Sequence, residues 1–182
     1  MIKFLKQKNK RLTTGFTLVE TLVAIAIFSM SILSLMVVLG GGISDATYAK
    51  RKMTAAYLAQ EGIEYMRNMR DTLALSSETP GAGWNQFINK LKEASCDANG
   101  CYINDQNDLI SCGENPKCAP LLYDSSNGKY NYAPGIDSGF SRRIDADPIS
   151  RYEIKISSTV FWSQGSGNYS VTFSENLYNW IE

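Results

Sequence analysis

The chain opens into three successive patterns of apolar and polar positions. Leu22 to Leu39 is apolar except for Ser29, Ser31 and Ser34, and the run extends back to Phe16 with Glu20 as its single charge. As a helix, the 24 residues from Phe16 to Leu39 would rise about 36 Å, enough to cross a hydrocarbon core of about 30 Å. Serine is tolerated there because its hydroxyl can bond back to the chain's own carbonyls. Beyond Gly40 the pattern takes on a helical period. Ala55, Leu58, Gly62, Met66, Met69 and Leu73 recur at steps of three or four, the stripe of a helix with one buried face. Lys50, Arg51, Lys52, Gln60, Glu64, Arg67, Arg70 and Asp71 occupy the opposite side. The stripe predicts a helix over 43–75 that packs on a sheet, with Ser76-Ser77 and Pro80-Gly81 marking its end.

Gly40, Gly41 and Gly42 lie between these two stretches. Each glycine weakens a helix by about 1 kcal/mol relative to alanine, which makes the triplet a candidate flexible joint. A short amphipathic helix is predicted over 84–93, with Trp84, Phe87, Ile88 and Leu91 on one face. The third pattern is that of strands. Leu121–Tyr123 and Tyr130–Tyr132 flank a Ser-Ser-Asn-Gly hairpin signal. Phe140–Ile144 follows, then a largely alternating run from Arg151 to Trp162. Gly165-Ser-Gly-Asn turns into Tyr169–Phe173, and Leu177–Trp180 closes the chain. A helix packed on an antiparallel sheet is an α+β architecture. Five segments result: a basic leader over 1–15, an apolar helix over 16–39, its amphipathic continuation over 40–75, a cysteine-containing loop region over 76–120 and a sheet over 121–182.

Charge adds a direction to this pattern. The whole chain is neutral, with 18 basic and 18 acidic residues, yet residues 1–15 carry +5 and the remainder −5. Lys3, Lys6, Lys8, Lys10 and Arg11 precede the apolar run and are expected to hold the N-terminus in the cytoplasm. The chain after Gly40 then lies outside, as in a single-pass membrane protein. Without a basic excess, nucleic acid is not an expected partner. The chain has no histidine, which removes histidine-based catalysis and histidine metal sites. It also has no Gly-x-Ser-x-Gly elbow, phosphate-binding loop or zincin motif. Neither an enzyme nor a cofactor is expected.

The cysteines stand at Cys96, Cys101, Cys112 and Cys118. Zinc sites favour closer spacings or histidine partners, whereas an extracytoplasmic loop favours disulfides. Four cysteines allow three connectivities. The short turns between them favour Cys96 with Cys101 and Cys112 with Cys118. Asn104, Asp105, Asn107 and Asp108 offer oxygens to calcium, but the spacing is not that of an EF-hand, and a polar loop is the expected reading. Asp145 and Asp147 form a second small acidic group.

A plain signal anchor, or a secretory signal cleaved near Gly40–Gly42, would also place a basic segment before an apolar run. The run exceeds the 7–15 residues usual for a cleaved signal. Neither reading accounts for a carboxylate at the edge of a membrane helix, an unfavourable position that asks for a partner. Around that carboxylate the sequence reads Thr13-Thr14-Gly15-Phe16-Thr17-Leu18-Val19-Glu20. With the basic leader before it and the apolar run after it, this stretch resembles the type IV pilin and type II secretion pseudopilin family over residues 10–40.

The resemblance implies cleavage after Gly15 by a prepilin peptidase, N-methylation of the new N-terminus at Phe16, and neutralisation of that amine by Glu20 of a neighbouring subunit. It also implies assembly with other pilin or pseudopilin subunits at an inner-membrane assembly platform. The 167 residues that would remain and the cysteine loop suit a minor pilin or larger pseudopilin. The chain lacks a cysteine pair close to its C-terminus and any proline before Pro80, which departs from many major pilins. The alternative is a membrane-anchored extracytoplasmic binding domain that uses the helix only for attachment.

Overall fold

The computed structural model describes residues 15–180, so the basic leader, apart from Gly15, lies outside the described residues. The chain divides into two compact units between Ala46 and Thr47. Helix α1, Leu18–Ser76, contributes to both. The three glycines at 40–42 lie within the helix. Extending an existing helix adds a hydrogen bond per residue, whereas ending one and starting another requires a second unfavourable nucleation. A run of weak helix formers between two strong stretches can therefore remain helical.

In the N-terminal unit the apolar side chains of α1 are all exposed. Ile32, 38% exposed, is the most covered of the large hydrophobic residues between Leu18 and Leu39. The helix is long and apolar enough to cross a membrane. The hydroxyls of Ser31 and Ser34 donate to the carbonyls of Ile27 and Ser31, each at 2.8 Å, so these polar groups are satisfied within the helix.

The C-terminal unit has a core. Helix α2, Ala82–Glu93, follows α1. Seven strands come next: β1 Cys101–Ile103, β2 Leu109–Ser111, β3 Pro120–Asp124, β4 Lys129–Asn131, β5 Ile136–Ser150, β6 Glu153–Gln164 and β7 Gly167–Tyr178. All pairings are antiparallel. β5 pairs with β6 along one edge and β6 with β7. Along its other edge β5 receives β3, which pairs with β4, and then β1, which pairs with β2. The cysteine region thus contains a small hairpin where the sequence suggested only loop. Its apolar residues come in short groups, Tyr102-Ile103 and Leu109-Ile110, on either side of a turn closed by Asn104. The Asn104 side-chain oxygen accepts the backbone N–H groups of Gln106 and Asp108 at 3.0 and 2.8 Å.

The stripe on α1 lies on this sheet. Ala55, Leu58, Gly62 and Met66 are buried, and Met69 and Leu73 are partly buried. Two apolar clusters result. One gathers Ile63, Met66, Phe87, Leu91, Ile144, Ile154, Ile156 and Leu177; the other gathers Ala55, Leu58, Ala59, Leu121, Phe140, Val160 and Trp162. Buried Arg142 and Ser158 lie against Gly62, where an added Cβ would stand 2.4 Å from Ser158 Oγ. Only glycine allows α1 to approach β6 this closely. Gly83 is similarly placed, since a Cβ there would lie 2.3 Å from the Leu73 carbonyl oxygen. Trp84 Nε1 donates to the Arg151 carbonyl at 3.0 Å and fastens α2 to the β5–β6 turn.

The charged side of α1 also makes specific contacts. Arg67 forms an ion pair with Glu175 of β7, 108 residues away, and a second with Glu64 at 2.6 Å. Hydrogen bonding to Glu175 holds the Arg67 guanidinium more firmly protonated than usual.

Candidate functional site

Residues 15–17 precede the helix and are exposed. At Gly15 an added Cβ would meet nothing within 4 Å among the described residues. No described neighbour therefore demands glycine at this position. Phe16 is 80% exposed and packs into no core.

The helix begins with a reciprocal cap. Thr17 donates from its backbone N–H and its hydroxyl to Glu20 Oε2 at 3.4 and 3.3 Å, and the Glu20 N–H donates to Thr17 Oγ1 at 3.3 Å. This is a capping box, which satisfies backbone donors left unpaired at a helix start. A carboxylate there also faces the positive end of the helix dipole. Thr17 was not singled out from the sequence, although Thr-x-x-Glu before an apolar run is the signal that would have identified it. The structure thus joins Glu20 to Thr17, within its own chain.

The four cysteines form two pairs. Cys96 bonds to Cys101 with a Cα–Cα separation of 4.8 Å, and Cys112 to Cys118 at 4.5 Å. The first pair is buried and joins the end of α2 to β1. The Ala146 N–H donates to the Cys96 carbonyl at 3.0 Å, tying this joint to β5. The second pair spans the connection from β2 to β3, where the Cys112 N–H donates to Gly100 at 3.0 Å.

Of the acidic residues considered for calcium, Asp105 has structural partners. Asp105 accepts the backbone N–H groups of Tyr132 and Ala133 at 3.0 and 2.8 Å, linking the β1–β2 turn to the segment after β4. Asp145 pairs with Arg143 at 2.6 Å, whereas Asp147 is exposed. Among the described residues no group of three or more acidic, cysteine or histidine side chains is arranged to hold a metal.

Compared with known families, residues 10–40 match the prokaryotic N-terminal methylation motif. That span contains Gly15, Phe16, Thr17, Glu20 and the apolar run through Leu39. No curated protein and no solved structure matches the chain.

Proposed function

From a chain that carries the N-terminal methylation motif characteristic of type IV pilins and pseudopilins, we propose a minor pilin or pseudopilin, processed from a prepilin and assembled through its N-terminal helix into a type IV pilus or a type II secretion pseudopilus. The motif indicates a structural subunit rather than an enzyme. The observation that carries the reading is the position of Gly15, Phe16 and Glu20 at the start of a helix whose apolar side chains are uncovered through Leu39. Fully burying a large apolar side chain contributes about 1.5–3 kcal/mol, so a run of this length favours a bilayer before assembly and neighbouring helices after it.

A prepilin peptidase cuts after Gly15 on the cytoplasmic side, and Phe16 becomes a methylated, positively charged N-terminus. Before assembly, Thr17 supplies donors to the Glu20 carboxylate, which lowers the cost of keeping it at the membrane edge. During assembly, Glu20 meets the Phe16 amine of a neighbour. A buried ion pair contributes little net stability, but removal of one partner is strongly unfavourable, so the pair selects a single register between helices. The globular part stays extracytoplasmic, where its disulfides persist. Its partners are other pilin or pseudopilin subunits, the prepilin peptidase and the inner-membrane assembly platform.

Mass spectrometry of protein extracted from its native membrane tests this reading. The expected chain begins at N-methylated Phe16. A chain retaining residue 1, or one beginning after Gly42, would overturn it.

A further inference from the structure

The sheet ends on one long strand that has a single partner. Among the described residues β7 pairs only with β6, through twelve consecutive residue pairs without a shift of register. Its opposite edge is a row of backbone N–H and C=O groups left without a strand partner. Natural sheets blunt such an edge with short strands, lysine, proline, a bulge or an inward charge. The other outermost strands, β2 and β4, have three residues each, and β4 starts at Lys129. β7 lacks these devices. Gly167–Tyr178 contains no proline and no basic residue, and its one charge, Glu175, is already neutralised by Arg67.

The side chains of β7 restrict what can be added there. The hydroxyls of Thr172 and Ser174 pair with those of Thr159 and Ser157 at 2.9 Å, which places them on one face. Val171, Phe173, Glu175 and Leu177 alternate onto the other, where Leu177 joins the cluster that contains Met66. On that face Phe173 is 36% exposed and Val171 is only partly buried. An added strand would extend both faces. It would set apolar side chains beside Val171 and Phe173, and neutral polar ones beside Thr172 and Ser174.

The direction of β7 decides which chain can supply that strand. β7 runs with the 48–70 part of α1. The ring centroids of Tyr48 and Tyr169 lie 5.0 Å apart, Arg67 meets Glu175, and Arg70 Nη1 donates to the Tyr178 carbonyl at 3.4 Å. Successive antiparallel pairings give β2 and β4 the same sense as β7, so the outermost strands all point one way. Assembly through α1, the reading proposed above and the one on which this inference rests, sets neighbouring copies of that helix in one sense. A copy then offers β7 no antiparallel partner, and parallel pairing with its β2 or β4 would engage only three residues. Two copies of β7 set edge to edge in one sense would carry α1 on opposite faces of the sheet, separating the helices that assembly packs together. We propose that β7 is a docking edge for an antiparallel strand of a non-identical filament subunit, which joins the two chains by a continuous sheet as well as by their helices. In strand addition of this kind main-chain hydrogen bonds give the affinity and alternate side chains the selectivity.

The test uses the full-length chain in its native host and tells the two edges of β7 apart with proline. Adjacent residues of an edge strand point their N–H groups to opposite sides, so of Val171 and Thr172 one faces β6 and the other faces outward. Proline is tolerated at an edge position whose N–H faces away from the ladder and is disruptive at one whose N–H faces into it. Of Val171→Pro and Thr172→Pro, one should therefore unfold the C-terminal unit. The other should keep protease resistance, both disulfides and leader cleavage. Its ratio of filament-bound to membrane-bound subunit should nevertheless fall about tenfold, which corresponds to about 1.4 kcal/mol. If both proline variants unfold, Phe173→Lys decides the question by placing a charge on the apolar side of the edge, with the same fall expected. The purified, unaltered chain should sediment as a monomer in detergent. Normal incorporation of the folded edge variant would overturn the proposal. So would a dimer of the purified chain that this variant abolishes, because the occupant would then be a second copy. Failure of the filament reading itself shows separately, in an unaltered chain that does not begin at Phe16 or does not enter filaments.

Discussion

Two lengths of one helix behave differently here. Between Leu18 and Leu39 none of the large hydrophobic side chains of α1 is buried, whereas Ala55, Leu58, Ala59, Gly62, Ile63 and Met66 are all buried on the sheet. Hydrogen bonding along the helix axis is of the same kind in both. The difference lies in the arrangement of apolar residues: all around the axis in the first length, confined to one stripe in the second. A stripe can be covered by the chain's own sheet, but a fully apolar surface requires a surrounding solvent or neighbours. Helical secondary structure alone therefore says little about what stabilises each length, because in most proteins that stability comes from packing.

The comparison is broken most severely at Glu20. Glu20→Ala should be inserted and cleaved normally, since it removes a polar group from an apolar segment, yet be incorporated poorly into filaments. An uncompensated buried charge costs about 3–5 kcal/mol, a factor of hundreds or more in association. The ratio of sheared, filament-bound subunit to membrane-bound subunit measures this loss, with folding of the C-terminal unit unchanged. A normal ratio would show that Glu20 serves only its own helix.

A smaller and opposite effect is expected at Gly62. Gly62→Leu forces a side chain into the contact with Ser158 and Arg142 and should destabilise the C-terminal unit by about 1–3 kcal/mol. Limited proteolysis of the membrane-bound protein should then reveal earlier cleavage in the sheet, while leader cleavage remains normal. Unchanged resistance would mean that α1 can lift from β6 at little cost.

The last effect is absent at neutral pH, appears only in alkali, and sharpens the contrast from the side of the packed unit. The Tyr132 hydroxyl is raised from its usual 10 to about 12, chiefly by burial. A raised value means that the neutral form is favoured on folding. The associated stability is complete below pH 10 and is lost as pH rises toward 12, at up to about 1.4 kcal/mol per pH unit. In denaturant unfolding between pH 10 and 12, Tyr132→Phe should lose stability with a shallower slope than the unaltered chain. Equal slopes would remove Tyr132 from the account.

Much of this architecture was legible in the residues. The apolar run, the stripe from Ala55 to Leu73 and the alternation in β6 are local patterns, and local patterns survive into the fold. What was not legible depends on contacts distant along the chain. Gly62 reads as a neutral member of the stripe until Ser158 is brought beneath it. Arg142 and Arg143 are adjacent charges within the expected Phe140–Ile144 strand, and nothing local shows that the strand's alternation turns Arg142 inward toward Glu61. Asp105 reads as a candidate cation ligand because its actual partners, the amides of Tyr132 and Ala133, lie 27 and 28 residues away. At the N-terminal site the limitation was different. Thr17 and Glu20 form a short-range signal, but Glu20 drew attention for its charge and not for its spacing from a hydroxyl.

The contact between Arg67 and Glu175 also has a consequence in time. Synthesis produces α1 first and β7 last, and the contact joins residues 108 positions apart. Until the final strand is available, Leu177 cannot complete the cluster that contains Met66, and the twelve-residue pairing of β6 with β7 has not formed. Closure of so distant a contact is slow compared with local structure formation. The Met66 end of the stripe therefore stays incompletely covered until β7 has emerged. A premature stop before β7 would leave that cluster without Leu177 and the edge of β6 unpaired, a form open to aggregation and to quality-control proteases.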